Sequence, residues 1–138
     1  MPSYSIGQAA GLLGVSPETV RRWADGGRLP VRRTPDGSRS VDGATLAAFA
    51  KARAGAPQPR PRPQPPAGTG TATSVRNSFV GIVTAVRLDE VAAQVEIQSG
   101  PHRVVSVVTR ESVEELGIAV GVSVTARVKS TEVYVDLP

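Results

Sequence analysis

The chain has 138 residues and a net charge of +4, divided unevenly: residues 1–55 carry eight basic and four acidic residues, and residues 74–138 carry six and eight. The basic N-terminal part favours a polyanionic partner such as double-stranded DNA. The acidic C-terminal part is not expected to bind nucleic acid. The absence of cysteine excludes disulfides and cysteine–zinc sites, and the single histidine, His102 in a Gly-Pro-His turn, favours no catalytic triad.

The first two predicted helices have sequence signals at their ends. Ser5 and Gln8 have the spacing of a capping box, and an apolar stripe of period 3.6 follows until Gly14. Ser16-Pro17 then starts a second helix, with a capping residue before a proline at the first helical position, and this helix runs to about Asp25. Two short helices joined by a tight turn predict a helix-turn-helix.

A basic hairpin and a third helix follow. Residues 31–39 predict a β-hairpin around a Pro-Asp-Gly turn, with arginine on both arms, which would form a wing. Asp42 has the position of a helix cap, and Leu46 lies on the apolar face of the helix that follows. Residues 1–53 are therefore predicted to form a small winged helix-turn-helix domain.

Three stretches of this domain match a known pattern: Ser16-Pro17-Glu18-Thr19-Val20-Arg21-Arg22-Trp23, Gly27-Arg28-Leu29-Pro30, and the wing from Arg33 to Arg39. With these motifs in this order, the segment resembles the MerR-like and excisionase-like winged helix-turn-helix domains. The DNA-binding residues that the resemblance implies are Ser16, Thr19, Arg21, Arg22, Arg33 and Arg39. The alternative is that the arginines only make an exposed helix soluble.

Residues 54–73 predict a linker, because prolines alternate with glutamine and arginine before an end rich in glycine, threonine and alanine. A segment of this length spans up to about 60 Å when extended. A proline-rich ligand for the aromatic groove of another protein is the alternative. Because the linker is long, we expect no rigid signal between the domains that it joins.

The remaining residues, 74–138, predict a small OB-like β-barrel of four or five strands and one helical turn. Ser112 and Glu115 have capping-box spacing at the start of that turn, and Gly117 ends it. The first three strands are predicted at Ser78–Arg87, Val91–Ile97 and Val104–Val108. The fold class is therefore α+β: a winged helix-turn-helix domain, a proline-rich linker and an OB-like barrel.

The apolar positions of the last strand change parity, from even numbers up to Val128 to odd numbers from Val133. Such a slip predicts a bulge or break at Lys129-Ser130-Thr131, which releases backbone amides from the ladder. Because the first and last strands of a barrel are neighbours, this run would meet the polar run from Thr73 to Asn77. Hydroxyls, loop amides and one ammonium would then converge, as a tetrahedral dianion requires.

Several motifs of residues 73–137 occur in the order of one known family: Thr73-Ser74-Val75-Arg76-Asn77, Gly81-Ile82-Val83, Val108-Thr109 with Ser112, Leu116-Gly117-Ile118, Gly121, and Ala126 to Val133. The segment resembles a single Mop or TOBE domain, the molybdate-binding module of molbindins and of the ModE regulator. The resemblance implies molybdate or tungstate as the ligand, with no other cofactor and no metal cation site, bound where two copies of the domain meet.

The oxyanion-binding residues that this resemblance implies are Ser74, Val75, Arg76, Asn77, Thr109, Ser112, Lys129, Ser130 and Thr131. Thr109 and Ser112, which would come from the same or the facing copy, have helix capping as an alternative role.

These features predict a molybdate- or tungstate-responsive DNA-binding transcriptional regulator, cytoplasmic, without a membrane partner and not an enzyme. We expect a homo-oligomer, from dimer to hexamer, formed through the barrel, in which anion binding promotes assembly and assembly changes DNA binding. The alternative is a molybdate storage or buffering protein with an accessory helix-turn-helix domain. A barrel that binds nucleic acid alone is disfavoured by its negative charge and few aromatic residues.

Overall fold

The computed structural model of the chain describes residues 2–54 and 73–138. Apart from its two end residues, the predicted linker lies outside the described residues. The described residues form an N-terminal domain of three helices with a three-stranded sheet, and a curled antiparallel four-stranded sheet with one helix, so the α+β class is confirmed. No helix in these two ranges is long and apolar enough to cross a membrane.

The first two helices begin and end where the sequence predicts. Helix α1, Ile6–Leu13, has a full capping box: the Gln8 amide donates to Ser5 Oγ at 3.1 Å, and the Ser5 amide donates to Gln8 Oε1 at 2.9 Å. It ends at Gly14, whose φ of 69° lies in the left-handed region that glycine adopts without strain. Helix α2, Pro17–Asp25, has Ser16 as its cap.

The wing is present as a hairpin of β2, Arg32–Arg33, and β3, Arg39–Asp42. The Asp36 carboxylate in its turn accepts hydrogen bonds from Thr34 and Ser38, which lower the pKa of Asp36. A further strand, β1 at Ser3–Ser5, pairs with the other side of β3 and is too short to have a sequence signal.

Helix α3, Gly43–Arg53, follows the wing directly. Its cap is Asp42, as predicted, which accepts from the Thr45 amide at 3.3 Å. Leu46 is completely buried, and Trp23 of α2 contacts Phe49 with a ring-centroid distance of 5.2 Å. The Arg53 guanidinium lies 4.0 Å from the centroid of the Trp23 ring, so α3 fixes the position of α2.

The second sheet has strands β4, Asn77–Leu88; β5, Ala92–Ser99; β6, His102–Thr109; and β7, Ser123–Val128. The strand order is β6-β5-β4-β7, so the predicted pairing of the first and last strands is confirmed. Its curled interior is filled by small aliphatic side chains such as Val83, Val95 and Ile97. The two edge strands, β6 and β7, line an apolar opening of about 240 Å³.

Two local predictions for this sheet are wrong. Helix α4, Arg110–Leu116, does not have Ser112 as its cap; the alternative capping role of Thr109 is confirmed, because the Ser112 amide donates to Thr109 Oγ1 at 3.1 Å. The break predicted after Val128 is confirmed, but the last strand does not resume after it: one 3₁₀ turn, Ser130–Glu132, follows β7, and residues 133–138 form no strand. A strand needs a partner for its hydrogen bonds, and the described part of this single chain offers these residues none.

The two domains are in direct contact, although the long linker led us to expect no rigid signal between them. Ile82 of β4 is completely buried in the core of the N-terminal domain, and Val80 packs against the same core. Val83, the next residue, points into the curled sheet instead. Because one face of β4 packs against the N-terminal core and the other lines the curled sheet, β4 is apolar on both of its faces.

Candidate functional site

The two polar runs predicted to bind an oxyanion are adjacent at one end of the β4–β7 pair. Asn77, the first residue of β4, lies opposite Val128, the last residue of β7. The Asn77 side-chain amide also donates to the Val128 carbonyl at 3.3 Å. In the first run, Thr73 Oγ1 accepts from the Val75 amide at 3.2 Å and holds a turn. The antiparallel register thus places Asn77, the last residue of the first run, opposite Val128, the residue directly before the second run.

The second run leaves the ladder as a turn that exposes donors. Lys129 has extended backbone angles, and the 3₁₀ turn after it is closed by the Glu132 amide, which donates to the Lys129 carbonyl at 2.9 Å. The first amides of a helical turn have no acceptor within that turn. Lys129, Ser130 and Thr131 are all exposed. The run therefore offers hydroxyls, free amides and one ammonium to a ligand.

The charges of this end of the sheet are not neutralised by neighbouring acids. Four ion pairs form among residues 2–54 and 73–138, and neither Lys129 nor Arg76 takes part in one. Both side chains are exposed. Hydrogen bonds from charged donors are stronger than those from neutral ones, so these two cations and the Ser74 and Ser130 hydroxyls of the same two runs are donor types that suit an oxyanion.

The other two predicted oxyanion residues lie elsewhere. Thr109 is opposite Ala92, at the end of the sheet where β4 stops, whereas Asn77 is at the end where β4 starts. Thr109 and Ser112 form the α4 cap, with their hydroxyls 2.7 Å apart. One copy of the chain therefore does not bring them to the two polar runs.

The predicted DNA-binding residues lie on α2 and the wing. Arg21 and Arg22 are exposed, and Arg21 forms a 3.6 Å ion pair with Glu18 of its own helix. Ser16 and Thr19 share a hydroxyl–hydroxyl hydrogen bond of 2.9 Å at the helix start, so both serve the cap. Helix α2 therefore presents its two arginines to solvent while Val20 and Trp23 anchor its other face.

Arg39 connects the wing to α2. Its Nη1 donates to Asp25 Oδ1 at 2.6 Å across an open cleft of about 500 Å³, which Arg21 and Ser5 also line. Arg33, on the other wing strand, is exposed. The ion pair thus links the wing to the end of α2.

Sequence reasoning missed the carboxylate of Glu96. This side chain is 8 % exposed and accepts a hydrogen bond from the Arg103 guanidinium, which lowers the pKa of Glu96. The sequence signal for Glu96 is weak: it is the one acidic residue in a strand whose other residues are alanine, valine, isoleucine, glutamine and serine. The residues that the structure describes contain no group of three His, Cys, Asp or Glu that could hold a metal ion.

Two family models match separate parts of the chain. The TOBE domain matches residues 73–135, and the MerR family regulatory protein matches residues 5–40. "Molybdenum-pterin-binding protein 2" of Clostridium pasteurianum is 38% identical over 63 residues, which are 45% of this chain and 93% of that protein. The chain belongs to this TOBE-domain family. Its N-terminal part is a MerR-type regulatory domain.

Two further relatives each match less than half of this chain. "Molybdenum transport protein ModE" of Azotobacter vinelandii is 42% identical over 61 residues, which are 44% of this chain and 23% of ModE. Among solved structures, "MopII from Clostridium pasteurianum" is 36% identical with a TM-score of 0.45, covering 48% of this chain and all of that one.

Proposed function

We propose that this TOBE-family protein is a DNA-binding transcriptional regulator that responds to molybdate or tungstate in the cytoplasm. One observation carries the proposal: a MerR-type domain with exposed arginines shares the chain with a sheet in which Asn77, of the first run predicted to bind an oxyanion, pairs with Val128, directly before the second. The names of two relatives, a molybdenum-pterin-binding protein and the molybdenum transport protein ModE, support a ligand that contains molybdenum.

The proposed ligand site acts by hydrogen bonding and charge. The Ser74 and Ser130 hydroxyls and the amides of the 3₁₀ turn donate to the anion oxygens, and Lys129 supplies a positive charge. Molybdate and tungstate have nearly the same size and charge, so both are expected to bind. The proposal contains no catalytic step and needs no other cofactor.

We propose that the functional protein is a homo-oligomer formed through the barrel. Residues 133–137 follow the ligand run, and their alternating apolar side chains are exposed: Val135 by 88% and Leu137 by 92%. The opening between β6 and β7 is apolar and has two unpaired strand edges. A segment from a second copy, laid in this opening, would bury both surfaces and satisfy the edges.

A storage or buffering protein is the second candidate. One observation favours it: the barrel segment spans 93% of its molybdenum-pterin-binding relatives, so that barrel makes up nearly the whole of those proteins. In this reading the N-terminal domain would serve assembly or localisation.

The deciding experiment selects DNA from a random library with the full-length protein, with and without molybdate. Titration calorimetry with molybdate, tungstate and sulfate and native mass spectrometry give anion affinity and subunit number in parallel. A regulator enriches a specific sequence with an affinity that molybdate changes, and Arg22→Ala weakens it. Anion binding without any enriched DNA supports storage, and absence of molybdate and tungstate binding overturns both.

A further inference from the structure

The contact between the two domains includes an unusually close backbone approach. A Cβ on Gly43, at the start of α3, would lie 2.6 Å from the Gly121 carbonyl oxygen. A Cβ on Gly121, in the turn before β7, would lie 2.7 Å from the Gly43 carbonyl carbon, and the φ of Gly121 is +91°. Only glycine at both positions lets the two backbones meet. We call this contact, with Tyr4 and Ile82, the seam.

Specific side chains complete the seam. The Tyr4 hydroxyl of β1 donates a buried hydrogen bond of 2.6 Å to the Gly121 carbonyl. Ile82 of β4 is completely buried in the N-terminal core, beside Val80. A satisfied buried polar group and a fully buried aliphatic residue indicate a fitted surface, since both are costly to leave exposed or unpaired.

The seam and the oxyanion site lie on the same pair of strands. Gly121 and Val122 are hydrogen-bonded to β4. The Gly121 amide donates to the Val83 carbonyl at 2.9 Å, and the Val83 amide donates to the Val122 carbonyl at 2.9 Å. The Asn77 end of β4 is five residues from Ile82, or about 17 Å along the strand. One end of the β4–β7 pair thus holds the DNA-binding domain, and the other holds the ligand runs.

We propose that the seam couples the oxyanion site to the DNA-binding domain: anion bound at the Asn77 end of β4–β7 stabilises the docked arrangement of the N-terminal domain. The inference rests on the proposed oxyanion site. A ligand that bridges residues 73–77 and 129–131 ties β4 to β7, and the docked domain needs the same pairing at Gly121. Binding therefore favours the docked state, and coupling of this kind is reciprocal.

The single tryptophan of the chain allows a direct test. Trp23 is 7% exposed in the N-terminal core, so its fluorescence reports the unfolding of that domain and not of the barrel to which the anion binds. We expect molybdate at 100 times its Kd to raise the urea midpoint of the Trp23 transition by on the order of 1 M. Without coupling, the anion leaves this transition in place.

Ile82→Thr is the test variant, because its side chain faces the N-terminal core and not the barrel interior, and threonine suits a strand. Val107→Thr, a change of the same kind at a 72% exposed strand position, is the matched control. We expect the molybdate shift to disappear in Ile82→Thr and to remain in Val107→Thr. Tyr4→Phe removes only the buried hydrogen bond, so it tests the seam if Ile82→Thr does not fold, and its shift should be reduced.

Titration calorimetry on the same proteins separates the two possible failures. No molybdate binding by the wild-type protein overturns the proposed ligand site. Molybdate binding with an unmoved Trp23 midpoint overturns the seam proposal and leaves a regulator that acts through assembly alone. Equal shifts in the wild-type protein, Ile82→Thr and Tyr4→Phe also overturn it.

Discussion

Lys129 is one of two lysines in a chain with sixteen basic residues, and it lies where β7 leaves the ladder. An ammonium is a compact charge with three donors, whereas a guanidinium is a planar fork suited to two parallel bonds. Beside free amides and hydroxyls, a point charge lets a tetrahedral anion settle in the orientation that these groups impose. We therefore expect Lys129 to attract the anion by its charge, while the amides and hydroxyls set the orientation of the anion.

Lys129→Gln tests this role. Loss of one charge-assisted hydrogen bond, on the order of 1.5 to 3 kcal/mol, should weaken molybdate binding by about 10- to 100-fold in titration calorimetry. Arg87→Gln is the matched control, since it removes one positive charge from an exposed residue at the end of β4 that is far from Asn77. Equal losses in the two variants would point to net charge and not to a placed ammonium.

Glu96 predicts a pH dependence of stability. Its pKa is lowered in the folded state by the Arg103 hydrogen bond, so the ionised form stabilises the fold above the unfolded pKa of about 4.3, and this contribution is lost as the pH falls through the lowered value. Glu96→Gln should therefore lower the urea midpoint, followed by circular dichroism, at pH 7 and converge with the wild type in acid. Glu114→Gln is the exposed control, and a pH-independent difference would contradict the assignment.

At the scale of elements, α4 shows a helix that was predicted at the right place but with its capping box at the wrong residue. The capping box was assigned to Ser112, and the structure has Thr109 as the cap. Both Thr109 and Ser112 are capping residue types, and both have acidic residues after them, so spacing alone does not choose between them. The choice follows from β6, which stays paired with β5 up to Thr109 and makes that residue the first one free to cap. The length of a neighbouring strand decided the register of the helix.

Substitutions at Thr109 separate its two proposed roles. Thr109→Ala removes the cap and should lower the free energy of unfolding by about 1 kcal/mol, and Thr109→Asp should restore it, because aspartate also caps helices. The carboxylate of Thr109→Asp would repel an oxyanion, so we expect that variant to bind molybdate more weakly while it stays as stable as the wild type. Unchanged affinity in calorimetry would remove Thr109 from the oxyanion-binding set.

At the scale of the whole molecule, the exposed apolar residues after the 3₁₀ turn indicate that one copy is not the final state. Residues 133–137 continue the alternation of a strand, but they pair with no strand in the part of the chain that the structure describes. The ligand runs end immediately before this segment. A second copy that takes it up would also bring its own Thr109 end into a new environment, which links assembly to the completion of the site.

Replacing Val135 and Leu137 by aspartate should therefore shift the protein toward smaller species in analytical ultracentrifugation, because two charges would have to be buried in an apolar opening. Val91→Asp is the control: Val91 is also apolar and 77% exposed, but it lies in the turn between β4 and β5. A variant that assembles like the wild type would show that residues 133–137 do not form the interface.

The sequence by itself determined the local structure and the chemistry of the site. The Ser5–Gln8 capping box, the Ser16-Pro17 helix start and the wing turn depend on neighbours a few residues away, so composition and spacing predict them. The change of parity after Val128 likewise located the end of β7 and the polar run after it.

Only the tertiary structure decided what those elements contact. The burial of Ile82 in the other domain, the glycine contact of Gly43 and Gly121, and the Arg39–Asp25 pair join residues far apart in the chain, and no local signal encodes such pairs. Whether residues 133–137 form a strand also depends on a neighbouring strand edge, because a strand is stable only when another strand satisfies the hydrogen bonds of its backbone. Local interactions fix the elements, and long-range packing fixes which of their faces remain free to act.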